Sequence, residues 1–171
     1  MIWEARFLYW IQEVLRNPVF DILFLGLTYL VEKGIIPIIL CVILLMIRKT
    51  RKIGFFLLCV LALSTLLNMV VLKNLFERAR PYNIHSFLDP LVIMDDYSFP
   101  SGHTCGAFSV YFGLKDYLDK KKRIILCIIA SLSALSRMYL GVHYPTDVVG
   151  GIAVAYFSYW LVKKSFEVYS E

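Results

Sequence analysis

The sequence predicts an all-α fold: a polytopic membrane helical bundle of about five transmembrane helices, preceded by an interfacial helix. Two observations support this prediction. First, 59% of the 171 residues are hydrophobic and the mean hydropathy is +0.68, whereas a soluble domain is nearer half apolar. Second, the apolar residues form long runs, and Ile53 to Leu72 contains no charged residue. A run of this length can span a bilayer as a helix.

The N-terminal segment, residues 2–16, has the pattern of an amphipathic helix. Its apolar residues recur at three- and four-residue steps, with charged residues between them. The apolar residues are Trp3, Phe7, Trp10, Ile11, Val14 and Leu15, and the charged residues are Glu4, Arg6, Glu13 and Arg16. Tryptophans and mixed charge are typical of a helix in the membrane interface, which we predict over residues 1–17. A helix that faces a protein core is the alternative.

After a break at Asn17-Pro18, the sequence continues in apolar segments. Residues 19–47 are interpreted as two helical pieces that bend at Glu32 to Gly34 and together make one crossing. Further crossings are predicted at about residues 53–76, 100–117, 123–140 and 145–162. The polar stretch from Asn83 to Tyr97 is the long loop of the chain. Residues 1–171 are thus predicted to form a single membrane-embedded domain.

The basic residues form three clusters, while the net charge is +5. The clusters are Arg48, Lys49, Arg51 and Lys52; Lys115, Lys120, Lys121, Lys122 and Arg123; and Lys163 and Lys164. Each cluster borders an apolar run, and such residues mark the cytoplasmic side of a membrane. We therefore predict a cytoplasmic C-terminus, with residues 73–81, 100–103 and 137–147 meeting at the outer face. No nucleic-acid partner is expected, because a basic binding face needs a soluble surface.

No metal and no cofactor are expected. The cysteines lie within apolar runs and form no CxxC pair, which favours small apolar packing residues over metal ligands or disulfides. They are Cys41, Cys59, Cys105 and Cys127. Asp95 and Asp96 are adjacent in sequence, which makes them a poor metal-binding pair.

The first polar group is Lys73 to Pro81. Lys73 and Arg80 are seven residues apart, which is two helical turns, so both should lie on one helix face with Pro81 ending the helix. Two cations on one face suit a phosphate; interfacial cations that reach toward water are the alternative. Glu77 and Arg78, between them, are interpreted as a local ion pair.

The second group is Pro100-Ser101-Gly102-His103, at a predicted helix start. Free backbone N–H groups and the helix dipole make such a start an anion site. Gly102 has no side chain, so an anion can approach the backbone closely there. His103 is then within reach to protonate a departing oxygen. A capped helix start with an incidental histidine is the alternative.

The third group extends from Ser136 to Asp147. Arg137 offers a bidentate fork for phosphate oxygens. His143 and Asp147 are four residues apart across Pro145, so the carboxylate can accept one ring N–H and leave the other nitrogen free to attack phosphorus. The alternative is a buried pair that only holds the start of the last helix.

Together the groups form the pattern K-x6-RP, PSGH and SR-x5-H-x3-D. This pattern resembles the three-part signature of the type 2 phosphatidic acid phosphatase family, in its membrane lipid phosphatase branch, at every fixed position between Lys73 and Asp147. The resemblance implies metal-independent hydrolysis of a phosphate ester through a phosphohistidine. It implies that His143 is the nucleophile, Asp147 its orienting partner and His103 the general acid. The phosphate-binding residues it implies are Lys73, Arg80, Ser101, Gly102 and Arg137.

The function expected from this resemblance is removal of the terminal phosphate from a lipid phosphate or diphosphate, at the extracytoplasmic face of a bacterial plasma membrane. Undecaprenyl diphosphate is the favoured substrate; phosphatidylglycerophosphate, phosphatidate and lipid A 1-phosphate are alternatives. Two other hypotheses are a non-catalytic lipid-phosphate binder or transporter, and a relative of the soluble vanadium haloperoxidases. The expected partners are the lipid substrate and membrane lipids, and the oligomeric state stays open.

Overall fold

The computed structural model describes residues 2–31 and 34–168. Within these residues every regular element is helical, which confirms the all-α prediction. The helices are α1 (Ile2–Leu15), α2 (Pro18–Val31), α3 (Ile35–Met46), α4 (Arg51–Thr65), α5 (Lys73–Phe76), α6 (Pro81–Ile84), α7 (Gly102–Leu114), α8 (Lys120–Tyr139) and α9 (Pro145–Val168). A π-helical segment, Leu66–Leu72, joins α4 to α5, and a 3-10 turn, Lys115–Tyr117, follows α7.

Helix α7 lies in the middle of the bundle, where it packs against α4, α8 and α9. Ser109 of α7 donates a hydrogen bond of 2.8 Å to the hydroxyl of Ser64 in α4. The contact with α9 is closer still: a Cβ on Gly151 would lie 2.6 Å from the carbonyl oxygen of Ser101. Glycine at this position therefore allows the start of α7 to pack directly against α9.

The basic clusters and the polar motifs lie at opposite ends of the bundle. At the basic end, the ring of Phe56 near the start of α4 lies 6.1 Å from that of Tyr117, just beyond α7. Lys163 near the end of α9 pairs there with Asp116 at 2.9 Å. The opposite end gathers the end of α5, the start of α7, the end of α8 and the start of α9. The predicted convergence of the three polar segments is thus confirmed, while the side of the membrane they face stays a prediction.

Large apolar side chains cover the outside of the bundle. The stretch Arg51–Ile84 is long and apolar enough to cross a membrane by length and composition, and most of its apolar part is not buried inside the protein. Pro18–Thr28 and Ile35–Met46 are shorter apolar helical stretches. Many large apolar side chains are exposed on these helices; that of Met46, at the end of α3, is 75% exposed. An exterior of this kind suits contact with lipid chains; the number of crossings stays a prediction.

The segment from residue 19 to residue 47 contains two helices, α2 and α3, as predicted, while the start of α8 differs from the prediction. Gly34 is the N-cap of α3 and has a left-handed φ of 69°, which glycine adopts without steric cost. The other residues of the predicted bend, 32 and 33, lie outside the described residues. Helix α8 begins before residue 123, because the Asp119 side chain accepts the backbone N–H of Lys122 at 2.9 Å and caps the helix there.

Helix α1 has the predicted extent, and most of its apolar stripe does not face the bundle, as the core-facing alternative would require. Trp3 and Trp10 are more than half exposed and face away from the bundle. The buried side contains three apolar and two polar residues: Ala5, Leu8, Ile11, Glu4 and Gln12. Its position in the membrane interface stays a prediction.

The prediction that Lys73 and Arg80 share a face of one helix is wrong. Helix α5 ends at Phe76, and Glu77 has a left-handed φ of 43°. Arg80 is extended, with φ −71° and ψ 154°, and Pro81 begins α6 rather than ending a helix. The proline ring disfavours helical geometry in the residue before it, so the chain leaves the helix before Arg80.

Candidate active site

Two buried cations, Lys73 and Arg80, bind the same carboxylate despite the break in the helix. The ammonium group of Lys73 and the guanidinium group of Arg80 both contact the side chain of Asp96, which comes from the loop before α7. Arg80 also donates to the carbonyl oxygens of Asp96 and Val142, each at 2.8 Å, and Lys73 donates to that of Tyr97 at 2.9 Å. Two positive charges therefore converge on one anion-sized position.

Asp96 remains ionised in this environment. Burial alone raises the pKa of its carboxyl, but the hydrogen bond from Lys73 and the charge of Arg80 outweigh that effect, so the pKa lies below its usual value. The side chain is 37% exposed at the rim of the site. In the sequence, Asp96 was interpreted only as half of a poor metal pair, and no local pattern indicated its role as the anion between the two cations.

His143 lies in the loop between α8 and α9 and is 1% exposed. Its Nε2 is 3.4 Å from the guanidinium of Arg80, and its Nδ1 is 3.6 Å from Oδ2 of Asp147, slightly beyond hydrogen-bond distance. Burial is the main reason that its pKa falls to about 4, and the charge of Arg80 lowers it further, against the opposing effect of Asp147. The imidazole is therefore neutral near pH 7, with one ring nitrogen unprotonated.

The carboxylate of Asp147 is buried and held on both oxygens. Oδ1 accepts from the guanidinium of Arg78 at 2.5 Å. Oδ2 accepts from the hydroxyl of Ser98 at 2.5 Å and from the backbone N–H of Tyr144 at 2.8 Å. The expected local ion pair between Glu77 and Arg78 is wrong, because Arg78 turns toward Asp147 instead.

The start of α7 is tied to the start of α9. Ser101 accepts the backbone N–H of Thr104 at 3.4 Å as the N-cap, and its own N–H donates to the carbonyl oxygen of Asp147 at 3.0 Å. Ser101 is therefore buried and engaged within the protein. The N–H groups of Gly102 and His103 come first in the helix and have no intrahelical carbonyl to bind.

The side chain of His103 is directed to the same site. It lies within electrostatic range of Arg137, His143 and Arg80. Its Nε2 is buried without a hydrogen-bond partner among the described residues. Its imidazole is therefore a candidate proton donor beside the cation cluster, by which we mean Lys73, Arg80 and Arg137. The backbone N–H groups at the start of α7 lie next to it.

Arg137 lies in the last turn of α8 and is 1% exposed. Its guanidinium contacts the hydroxyl of Thr28 in α2 and that of the adjacent Ser136, the latter at 3.2 Å. Thr28 in turn donates to the carbonyl oxygen of Phe24 at 2.7 Å. These contacts attach α2 to the site through Arg137, a connection that the sequence pattern did not indicate.

All three sequence groups therefore converge, and the structure adds residues that sequence reasoning missed. The added residues are Glu4, Arg78, Asp96 and Ser98. Arg78 lies inside the K-x6-RP pattern, so a third cation in that motif was a usable signal. Nothing in the sequence connects Glu4 with the site. Among the described residues, no three His, Cys, Asp or Glu side chains are grouped to hold a metal ion.

The chain matches the PAP2 superfamily over residues 53–169. The phosphatidylglycerophosphatase B of Bacillus subtilis (strain 168) is 37% identical over 163 residues, which are 88% of this chain and 77% of that protein. An undecaprenyl-diphosphatase of Sulfolobus acidocaldarius is 34% identical over 113 residues, 64% of this chain and 53% of that protein. The crystal structure of the first transmembrane PAP2-type phosphatidylglycerolphosphate phosphatase, from Bacillus subtilis, has a TM-score of 0.78 at 32% identity and covers 95% of this chain and 84% of that one.

These matches include the helices that carry the site as well as its polar motifs. Residues 53–169 contain Lys73, Arg80, His103, His143 and Asp147. The two relatives are named as phosphatases of membrane lipids, and the solved structure is a transmembrane enzyme. The chain therefore belongs to the PAP2 superfamily and is an integral membrane lipid phosphatase of the PAP2 type.

Proposed function

We propose that this enzyme hydrolyses the terminal phosphate of a lipid phosphate or diphosphate through a phosphohistidine at Nε2 of His143. The observation that carries the proposal is the placement of this imidazole. One ring nitrogen faces Arg80 at 3.4 Å, where a phosphate would be bound, and the other faces the carboxylate of Asp147 at 3.6 Å. A neutral imidazole in this arrangement can be oriented by one nitrogen while the other attacks phosphorus.

In the first step, Nε2 of His143 forms a bond to phosphorus while the bond between phosphorus and the lipid oxygen breaks. The leaving oxygen takes the electron pair of that bond and a proton from His103. In the second step, water attacks the phosphohistidine, the N–P bond breaks, and the proton of the water passes to His103. Inorganic phosphate leaves and both histidines return to their starting states.

The remaining candidate residues would bind the phosphate. Lys73, Arg80 and Arg137 supply positive charge, and the N–H groups at the start of α7 supply hydrogen-bond donors near Gly102 and Ser101. Such preorganised charge stabilises the negative oxygens of the transition state and is usually the largest catalytic contribution. We expect turnover to persist in EDTA, because these cations take the role that a metal ion has in other phosphatases.

Two substrates have specific support. The relative named phosphatidylglycerophosphatase B matches more of both chains than the relative named undecaprenyl-diphosphatase does. We therefore place phosphatidylglycerophosphate first and undecaprenyl diphosphate, the substrate favoured from the sequence alone, second. Phosphatidate and lipid A 1-phosphate stay as alternatives, and the enzyme is proposed to act at the extracytoplasmic face of a bacterial plasma membrane.

The test is phosphate release from these four lipids by purified enzyme in detergent micelles, with and without EDTA. The preferred substrate is the one with the highest kcat/KM, and His143→Ala should abolish release from each. His103→Ala should nearly abolish release from a monophosphate and be milder on a diphosphate, whose leaving group needs less protonation. Turnover by folded His143→Ala near the wild-type rate would exclude the proposed intermediate, and equal losses on both kinds of substrate would exclude the acid role of His103.

A further inference from the structure

Helix α1 places a fully buried carboxylate next to the proposed active site. Glu4 is 0% exposed, so its charge is not stabilised by contact with solvent. One of its oxygens accepts from the guanidinium of Arg78 at 2.7 Å. The other accepts from the hydroxyl of Thr146 at 2.5 Å and from the backbone N–H of the same residue at 3.2 Å. A buried charge of this kind is costly unless it is fully paired, as Glu4 is.

Arg78 is shared between two carboxylates that lie at opposite ends of the sequence. One amino group of its guanidinium binds Glu4, and the other binds Asp147 at 2.5 Å and the hydroxyl of Thr146 at 2.6 Å. The guanidinium also lies 4.0 Å from the ring centroid of Tyr144. These contacts fix Arg78 in one orientation, so a change at Glu4 is transmitted directly to Asp147.

Glu4, Arg78 and Asp147 together contain two negative charges and one positive charge. Arg78 alone would neutralise Asp147 and reduce the field that the carboxylate exerts on His143. Glu4 supplies the second negative charge, so the group of three has a net negative charge facing the imidazole. The other charged or titratable groups around His143 are the cations Arg80 and Lys73, the imidazole of His103, and Asp96, whose carboxylate contacts both cations. Asp147 is the carboxylate that acts directly on the imidazole and opposes the two cations.

We infer that Glu4 is a positioning residue for the phosphatase reaction: through Arg78 it holds the carboxylate of Asp147 beside His143, and its own negative charge balances that of Arg78. This inference rests on the proposed function, because it assigns the orientation of the attacking imidazole to Asp147. Glu4 itself contacts neither His143 nor the cation cluster in any described hydrogen bond or ion pair. Its effect should therefore fall on the chemical step and not on substrate binding.

The primary variant is Glu4→Gln, which keeps the size of the side chain and removes its charge. We expect kcat to fall by about 10- to 100-fold, the range typical of residues that orient a directly acting group, with KM little changed. The acid limb of the pH profile of kcat/KM should move to lower pH, because uncompensated Arg78 disfavours protonation of His143. A merely structural role would lower the yield of folded enzyme and leave the pH profile in place.

Glu13→Gln is the matched control, since Glu13 is an exposed glutamate of the same helix. It should leave kcat and the pH profile unchanged. Helix α1 is also attached independently of Glu4, because Gln12 donates to the carbonyl oxygen of Asp89 at 2.9 Å. Loss of the Glu4 contacts therefore does not remove every contact of the helix.

A second variant keeps the inference testable if Glu4→Gln does not fold. Glu4→Asp keeps the negative charge but shortens the side chain by one methylene group, which moves the carboxylate away from Arg78. Its acid limb should stay at the wild-type position because the charge is kept, while kcat should fall because Arg78 and Asp147 lose their fixed orientation. Wild-type kcat in both variants, with a wild-type pH profile in Glu4→Gln, would overturn the inference. Turnover by His143→Ala would instead refute the proposed function, so the two failures are distinguishable.

Discussion

At the scale of single residues, Asp96 occupies the position where a substrate phosphate is expected. Its carboxylate contacts both Lys73 and Arg80, the cations assigned to phosphate binding. An incoming phosphate would have to exchange with this carboxylate, and both anions cannot hold the same donors at full strength. Asp96 should therefore weaken the binding of every tetrahedral oxyanion.

This competition predicts that Asp96→Asn binds vanadate more tightly than the wild type. A neutral amide competes less well for two cations, and a gain of about 1.4 kcal/mol would lower the inhibition constant tenfold. The measurement is vanadate inhibition of phosphate release, with Asp95→Asn as the control because Asp95 is exposed and has no ion pair among the described residues. Weaker vanadate binding in Asp96→Asn alone would mean that Asp96 holds the cations in place instead of competing for them.

A second residue-scale feature is the buried amide of Asn68 in the π-helical segment. It is 1% exposed, and neither its nitrogen nor its oxygen makes a hydrogen bond of normal geometry with the part of the chain that the structure describes. Its oxygen would be 3.6 Å from a Cβ on Gly102, at the start of α7. π-Helical turns often occur at functional sites, and an unpaired buried amide lowers stability.

We therefore expect Asn68→Leu to raise the stability of the enzyme, by about 1–3 kcal/mol, because it removes an unsatisfied polar group. Ser64→Ala is the matched control: Ser64 is on the same helical stretch and equally buried, but it bonds to Ser109, so its loss should lower stability. Thermal unfolding in detergent measures both changes. A lower Tm for Asn68→Leu would show that the amide has a partner in the folded enzyme.

At the scale of secondary-structure elements, the close contact between α7 and α9 positions the site. A Cβ on Gly151 would meet backbone atoms, at 2.6 Å for the carbonyl oxygen of Ser101 and 3.2 Å for the nitrogen of Cys105. The backbone cannot move aside without shifting the start of α7, where Gly102 and His103 lie. Packing between these two helices therefore determines the distance between the two histidine motifs.

Gly151→Ala should accordingly destabilise the enzyme by about 1–3 kcal/mol, the usual cost of overpacking, and lower kcat. Gly106→Ala is the control, because a Cβ on Gly106 has no atom within 4 Å and alanine favours a helix over glycine. Gly151→Ala should show a lower Tm in thermal unfolding and a lower kcat for phosphate release than Gly106→Ala. Equal behaviour of the two alanine variants would contradict the claim that this contact sets the geometry of the site.

The elements also show which features were predictable from sequence. The apolar runs specified the long helices because burial in lipid demands continuous apolar surface, and their order and approximate limits were correct. The limit of the helix after Lys73 was predicted incorrectly. The helix was expected to continue through Arg80, although the proline that follows Arg80 disfavours helical geometry there. Glu4 was missed for a different reason: its partners Arg78 and Thr146 are far away in sequence, and no local pattern encodes such a contact.

At the scale of the whole molecule, the enzyme is polarised along the bundle axis. The basic clusters lie at one end of the bundle, and the site with Lys73, His103 and His143 lies at the opposite end. Positive charge near span ends favours the cytoplasmic side, so the site should face the opposite side. A lipid phosphate in the outer leaflet could then reach the cations without crossing the bilayer.

This orientation predicts opposite labelling of single cysteines at the two ends. Asn83→Cys places an exposed thiol at the end with the site, and Lys121→Cys places one at the basic end, in a background where Cys41, Cys59, Cys105 and Cys127 are replaced. A membrane-impermeant thiol reagent on intact cells should label position 83 and spare position 121, while both should react after the membrane is permeabilised. Phosphate release by each variant confirms that the fold is kept. Labelling of position 121 with protection of position 83 would reverse the orientation and place the site in the cytoplasm, where the outer-leaflet substrate could not reach it.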